Sequence, residues 1–173
     1  MTETIQNSSL LSGEYEKKPL STGLNVLTIL TIVWCVISFG LIAMNFIGAK
    51  SSYEKKEESI ARMQDPATPK FVRTMMGDPA NLEKMIVKSY ENRVPMLLLG
   101  VVSLALCLIG AIQMRKLKKQ GYLLYVVGEL LPFLSMAVFI GLFAMSGIIF
   151  IISLAFSLLF ILLYTLQKKY LVN

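Results

Sequence analysis

The sequence predicts an all-α, polytopic membrane protein. Four transmembrane helices form a bundle, with an extracytoplasmic helical segment between the first two. Three observations predict it. Of 173 residues, 55% are hydrophobic and 16% are charged, against about 45–50% apolar and about 25% charged in an ordinary soluble domain. The mean hydropathy is correspondingly high, at +0.63. The charges are not spread evenly: they fall in polar segments that separate four long apolar runs, the pattern of an integral membrane protein.

The runs are 24–48, 94–114, 122–144 and 147–166. Each has about 20 residues or more, and at 1.5 Å of rise per residue that crosses roughly 30 Å of hydrocarbon. None shows strict alternation, and each is far longer than the roughly ten residues a membrane β-strand needs. Lipid offers no water to a backbone amide, so a spanning segment must bond its own N–H and C=O groups and is a helix.

Residues 1–23 form a polar tail without hydrophobic period, expected to be disordered and cytoplasmic. Asn7-Ser8-Ser9 fits a glycosylation sequon, a three-residue pattern that is common by chance. The run 24–48 reads as a retained anchor, because it is too long for the apolar region of a signal peptide.

The segment 49–93 is too long to be a plain connector. Ser51-Ser52-Tyr53-Glu54 fits a capping box, and Glu58 with Arg62 makes a favourable i,i+4 pair, so the first helix restarts or continues to about Met63. The stretch QDPATP (64–69) then breaks it. Asp78 followed by Pro79 is an N-cap with proline at the first helical position. Leu82, Met85, Ile86 and Tyr90 follow at helical spacing, so 79–92 reads as an amphipathic helix. It has three candidate sites: the outer membrane surface, the mouth of the bundle, or a partner. Pro95 starts or kinks the second span.

The loop 115–121 carries Arg115, Lys116, Lys118 and Lys119 and no acid. Basic residues in short loops mark the cytoplasmic side, which puts both tails inside, including Lys168 and Lys169 in 167–173. The segment 49–93 then lies outside, although it carries nine basic residues among seven acids. A turn around Met145-Ser146-Gly147 joins the last two spans. GLIAM (40–44) and GLFAM (141–145), both near the outer ends of spans running the same way, raise the idea of an internal duplication.

Cys35 and Cys107 both lie inside spans, with no CxxC and no disulfide framework; small buried thiols are the simple reading. The chain has no histidine, which removes the usual haem and zinc ligand and the commonest general base. No catalytic residue, metal site or cofactor is expected. The expected partners are the lipid bilayer and either a second copy or another membrane protein, with no nucleic acid.

Glu129 is the single charge inside the four runs. A charge at the bilayer centre costs at least about 2.5–3.5 kcal/mol. Counted from the start of its run, Glu129 lies about 10 Å deep, too far for a short side chain to reach the interface. It must face the bundle or a wet cavity, or carry a proton. Pro132 cannot donate to the carbonyl of Gly128, so that carbonyl is freed beside the acid. Gly128 also permits close helix approach. Matching depths along the spans gives Thr28, Thr31, Cys107, Gln113 and Ser157 as polar neighbours, with Tyr125 one turn earlier. Gly100, Ser103, Gly110, Gly128, Gly141 and Gly147 read as helix-packing positions.

Ser89–Pro95 (SYENRVP) and 110–132 (GAIQMRKLKKQGYLLYVVGELLP) resemble a group of small four-span membrane proteins of Bacteroidota, a group with no assigned activity. The resemblance covers about a quarter of the chain closely and the rest by layout. It implies a bacterial inner (plasma) membrane location and supplies no catalytic residue, substrate or cofactor.

Two function classes follow. The preferred one is a non-enzymatic accessory or scaffold subunit in which Glu129 is structural glue. The alternative is a small transporter, channel subunit or sensor in which Glu129 binds a proton, cation or ligand. An intramembrane enzyme would need a second catalytic group beside Glu129, and the spans offer none.

Overall fold

The computed structural model describes residues 20–76 and 78–171. The expected polar tail, apart from its last residues, and the sequon at Asn7 lie outside the described residues. Among them there are helices and no strands: α1 (Thr22–Glu54), α2 (Lys56–Gln64), α3 (Lys70–Met76), α4 (Pro79–Glu91), α5 (Arg93–Arg115), α6 (Lys119–Phe139) and α7 (Ile148–Gln167). Four of these, α1, α5, α6 and α7, are long and apolar enough to cross a membrane. They carry most of the exposed large hydrophobic side chains, including Trp34, Phe39, Leu98, Val138 and Phe156, as expected of lipid-facing helices.

The four long helices run alternately up and down. The start of α1, the α5–α6 turn and the end of α7 share one end of the bundle. Ser21 Oγ donates to Gln167 Oε1 at 2.9 Å, and Tyr122 OH lies 2.8 Å from Thr165 Oγ1. The basic residues Arg115, Lys116, Lys118, Lys119, Lys168 and Lys169 therefore gather at this end. The other end carries α2, α3, α4 and a short 3₁₀ turn, Leu142–Ser146. The well-buried core (Leu24, Leu27, Cys35, Cys107, Met114, Tyr125, Tyr164 and Leu171) sits toward the basic end.

The tightest packing is between α5 and α6. Ser103, Cys107, Gly110, Ala111 and Met114 of α5 are buried against Gly121, Tyr125, Gly128 and Ser135 of α6. A Cβ on Gly110 would lie 2.7 Å from the Gly121 carbonyl oxygen, and one on Gly121 only 2.6 Å from that of Gly110. The two backbones therefore touch, which in lipid replaces the missing hydrophobic drive with van der Waals contact. The turn between them is a Schellman motif: Lys118 N–H donates to the Gln113 carbonyl at 3.0 Å and Leu117 N–H to that of Met114 at 2.9 Å. Leu117 occupies the left-handed position (φ 59°), where glycine is usual, while its side chain packs on the core.

Several expected boundaries are corrected. Ser51 is helical and caps nothing, because α1 runs unbroken to Glu54; the break falls at Lys55, and α2 follows directly. The Glu58–Arg62 pair forms at 2.6 Å. The run 122–144 does not form one helix. α6 begins earlier, at Lys119, and ends at Phe139, because Gly141 takes φ 116°, a conformation that side chains rarely allow. The Gly141 N–H reaches back to the Met136 carbonyl at 3.1 Å. The turn between the last two spans is thus Gly141–Gly147, wider than the three residues expected. GLIAM is regular helix within α1 while GLFAM is this break, so the two matching strings do not share a structure.

α4 is capped as expected: Asp78 Oδ1 accepts from the Ala80 N–H at 3.0 Å. The helix lies against α1, α2 and α5, and Leu82, Met85, Ile86 and Tyr90 line a groove open between α1, α4 and α5. Tyr90 stacks on Tyr53 with ring centroids 4.5 Å apart. At the α4–α5 joint, Asn92 Nδ2 donates to the Phe139 carbonyl at 3.3 Å, satisfying one of the last acceptors of α6.

Candidate functional site

Glu129 is the eleventh of the 21 residues of α6. It therefore sits at the middle of the helix, deeper than the apolar run suggested, because α6 takes in Lys119 to Gly121 as well. It is half-buried. Its carboxyl is ringed by the hydroxyls of Ser157 and Tyr125 and the thiol of Cys107. The thiol makes a long contact, Sγ to Oε2 at 3.9 Å, and also lies 3.8 Å from the Tyr125 carbonyl. Ser157 Oγ is buried and without a partner in hydrogen-bonding geometry.

The carbonyl freed by Pro132 has a partner on the neighbouring helix. Pro132 lies inside α6, and Ser103 Oγ of α5 donates to the Gly128 oxygen at 2.7 Å. The hole in the α6 ladder is filled from the neighbouring helix. Gly128 makes this approach feasible: a Cβ there would lie 2.7 Å from Cys107 Sγ and 2.9 Å from both Cys107 N and Ser103 O. The Pro132 carbonyl in turn accepts from Ser135 Oγ at 2.8 Å.

The tyrosines extend the cluster. Tyr125 packs on Tyr164 of α7, centroids 4.5 Å apart at 52°. Tyr164 OH lies 2.8 Å from Thr31 Oγ1 of α1. One polar cluster thus joins α1 (Thr31), α5 (Ser103, Cys107), α6 (Tyr125, Gly128, Glu129) and α7 (Ser157, Tyr164).

The structure brings together Glu129, Gly128, Tyr125 and Ser157, with Pro132 acting through the carbonyl it frees. Thr31 belongs to the cluster only at second hand, through Tyr164. Thr28 stays out of it, since its hydroxyl bonds its own helix at Leu24 O (2.9 Å) and Asn25 O (3.0 Å). Gln113 is also elsewhere: it sits at the α5–α6 turn, with Oε1 buried and unpartnered among the described residues. The basic loop Arg115–Lys119 is remote from the acid, at the end of the bundle. Sequence reasoning read Ser103 only as a packing residue and did not single out Tyr164. The signal for each was helical spacing. Ser103 lies one turn before Cys107, and Tyr164 lies two turns after Ser157, on the same faces.

Among the described residues no three His, Cys, Asp or Glu side chains come together in a way that could hold a metal ion. The cluster holds one carboxyl, the Cys107 thiol and hydroxyls. Chemically it can share or hold a proton and tie helices together. Comparison with known proteins found no matching family model, no similar curated protein and no similar solved structure.

Proposed function

We propose that this chain is a non-enzymatic integral membrane protein, an accessory or scaffold subunit, in which Glu129 is a structural tie. The observation that carries this reading is the provenance of the groups around the carboxyl. Cys107 of α5 lies 3.9 Å from the carboxyl, the Tyr125 and Ser157 hydroxyls of α6 and α7 face it, and no lysine or arginine lies in the spans to pair with it. A hydroxyl-ringed acid in hydrocarbon links helices whose apolar faces have no preference for one another over lipid. The working surface is then the assembly of α2, α3 and α4, with α2 and α4 lying against α1 and α3 against α2 and α7.

The test is one variant and a partner search. Cross-linking in native membranes followed by purification is expected to recover a stoichiometric membrane partner or a second copy. Glu129→Gln, which still accepts and donates, is expected to leave that complex intact. A chain that purifies alone and drives a proton or cation flux into liposomes, lost in Glu129→Gln, would establish the alternative of a small transporter, channel subunit or sensor. The partial exposure of Glu129 is what favours that second reading.

The proposed setting is a bacterial inner membrane, with both tails in the cytoplasm. The gathering of Arg115, Lys116, Lys118, Lys119, Lys168 and Lys169 at one end supports this orientation. Cysteines placed at Lys116 and at Ala67 test it. Ala67→Cys is expected to react with an impermeant maleimide in intact cells, and Lys116→Cys only after lysis. Cys35 and Cys107 are buried and free.

A further inference from the structure

An open groove of ≈ 410 Å³ lies between α1, α4 and α5, within the size range of small-ligand sites, about 300–1,000 Å³. Its position along the helices is informative. Ile42 and Phe46 come from the end of the first apolar run, and Met96 from the start of the second. Ile86 and Tyr90 come from the apolar stripe of α4, which folds down over them. The groove therefore straddles the level at which the spans leave hydrocarbon.

Its lining holds a single charged residue, Arg93, and no acid. The guanidinium lies over the Tyr90 ring, 4.3 Å from its centroid, which holds one cation on the groove wall. The two ion pairs among the described residues are Lys50–Glu54 and Arg62–Glu58, so neither uses Arg93. A basic rim above an apolar floor at the membrane boundary matches a phospholipid, with phosphate at the guanidinium and chain on the aliphatic and aromatic wall.

We infer that this groove binds one anionic phospholipid of the surrounding bilayer, with its headgroup phosphate on Arg93 and an acyl chain along Ile42, Phe46 and Met96. The site is independent of the Glu129 cluster and of what that cluster does; it requires only that the apolar helices lie in a bilayer.

The full chain, purified in non-ionic detergent, is offered phosphatidylglycerol and phosphatidylcholine with identical acyl chains, and retained lipid is read by native mass spectrometry. One phosphatidylglycerol per chain is expected. Arg93→Gln is expected to lower its retention about ten-fold, the worth of a charge-assisted contact, toward the weaker retention of phosphatidylcholine, whose own choline already offsets its phosphate. Ile86→Trp, which fills the groove, is expected to remove both. Ser52→Trp, from the exposed opposite wall, gives the same readout should the first variant fail to fold. Unchanged phosphatidylglycerol retention in Arg93→Gln, or in the folded tryptophan variants, overturns the proposal. So does displacement of phosphatidylglycerol by an equimolar single-chain fatty acid, which would make the occupant a free amphiphile.

Discussion

Between α5 and α6 the backbones touch, with glycines at 110, 121 and 128 leaving no room for a side chain. α7 meets the rest of the bundle through side chains: Tyr164 on Tyr125, Phe150 edge-on to Phe133 at 5.6 Å, and Thr165 on Tyr122. Both arrangements hold helices in a solvent that gives no hydrophobic drive for doing so. The first is steric and unforgiving, since anything larger than hydrogen collides with main chain. The second is polar and adjustable, since hydroxyls and rings can rotate to new partners. Glu129 stands where the two meet, on the seam helix and beside the hydroxyl of α7.

This contrast can be broken from either side. The largest effect is expected for Gly110→Leu, whose side chain would drive into the Gly121 carbonyl and the Tyr125 backbone. A loss of about 3 kcal/mol is expected in detergent-induced unfolding of the full chain. Gly40→Leu, on a face with nothing within 4 Å, serves as its control and is expected to stay within about 0.5 kcal/mol. Equal losses in the two would deny the seam its role.

Next comes Glu129→Leu, which leaves the Ser157 and Tyr125 hydroxyls facing an apolar group. It is expected to cost about 1–2 kcal/mol, with Glu129→Gln well below that in the same unfolding assay. If Gln proves as damaging as Leu, the tie depends on the acid itself and not on hydrogen bonding. The smallest effect is expected for Tyr164→Phe. Removing the hydroxyl that meets Thr31 is expected to cost about 0.6 kcal/mol, the average for interhelical hydrogen bonds in a membrane. A loss as large as that of Gly110→Leu would show that α7 is held as rigidly as the seam.

The four long helices were legible because hydropathy reports directly on where a backbone can lie. So was the free Gly128 carbonyl, which follows from the covalent structure of Pro132 alone. The donor that fills it, Ser103, was not. Depth along a helix can be counted from sequence, but the rotation of one helix against another is set by packing. That is why Thr28, at a suitable depth, turns back on its own helix, while Thr31 reaches Tyr164. Gln113 was misplaced for a related reason. Its depth was measured from the ends of apolar runs, and α6 begins three residues before its run does. The break at Gly141 escaped notice because GLFAM is apolar throughout, and hydropathy is blind to a positive φ.

The unbroken length of α1 has a mechanical consequence. Its 33 residues make a rod about 50 Å long, well beyond the roughly 30 Å of a bilayer core. Tyr53, near its far end, is stacked on Tyr90 of α4, so the rod is coupled to that helix. A tilt of about 10° in the membrane swings that end by roughly 8 Å. The length of the first helix thus makes its far end the place where a small change in tilt becomes a large displacement.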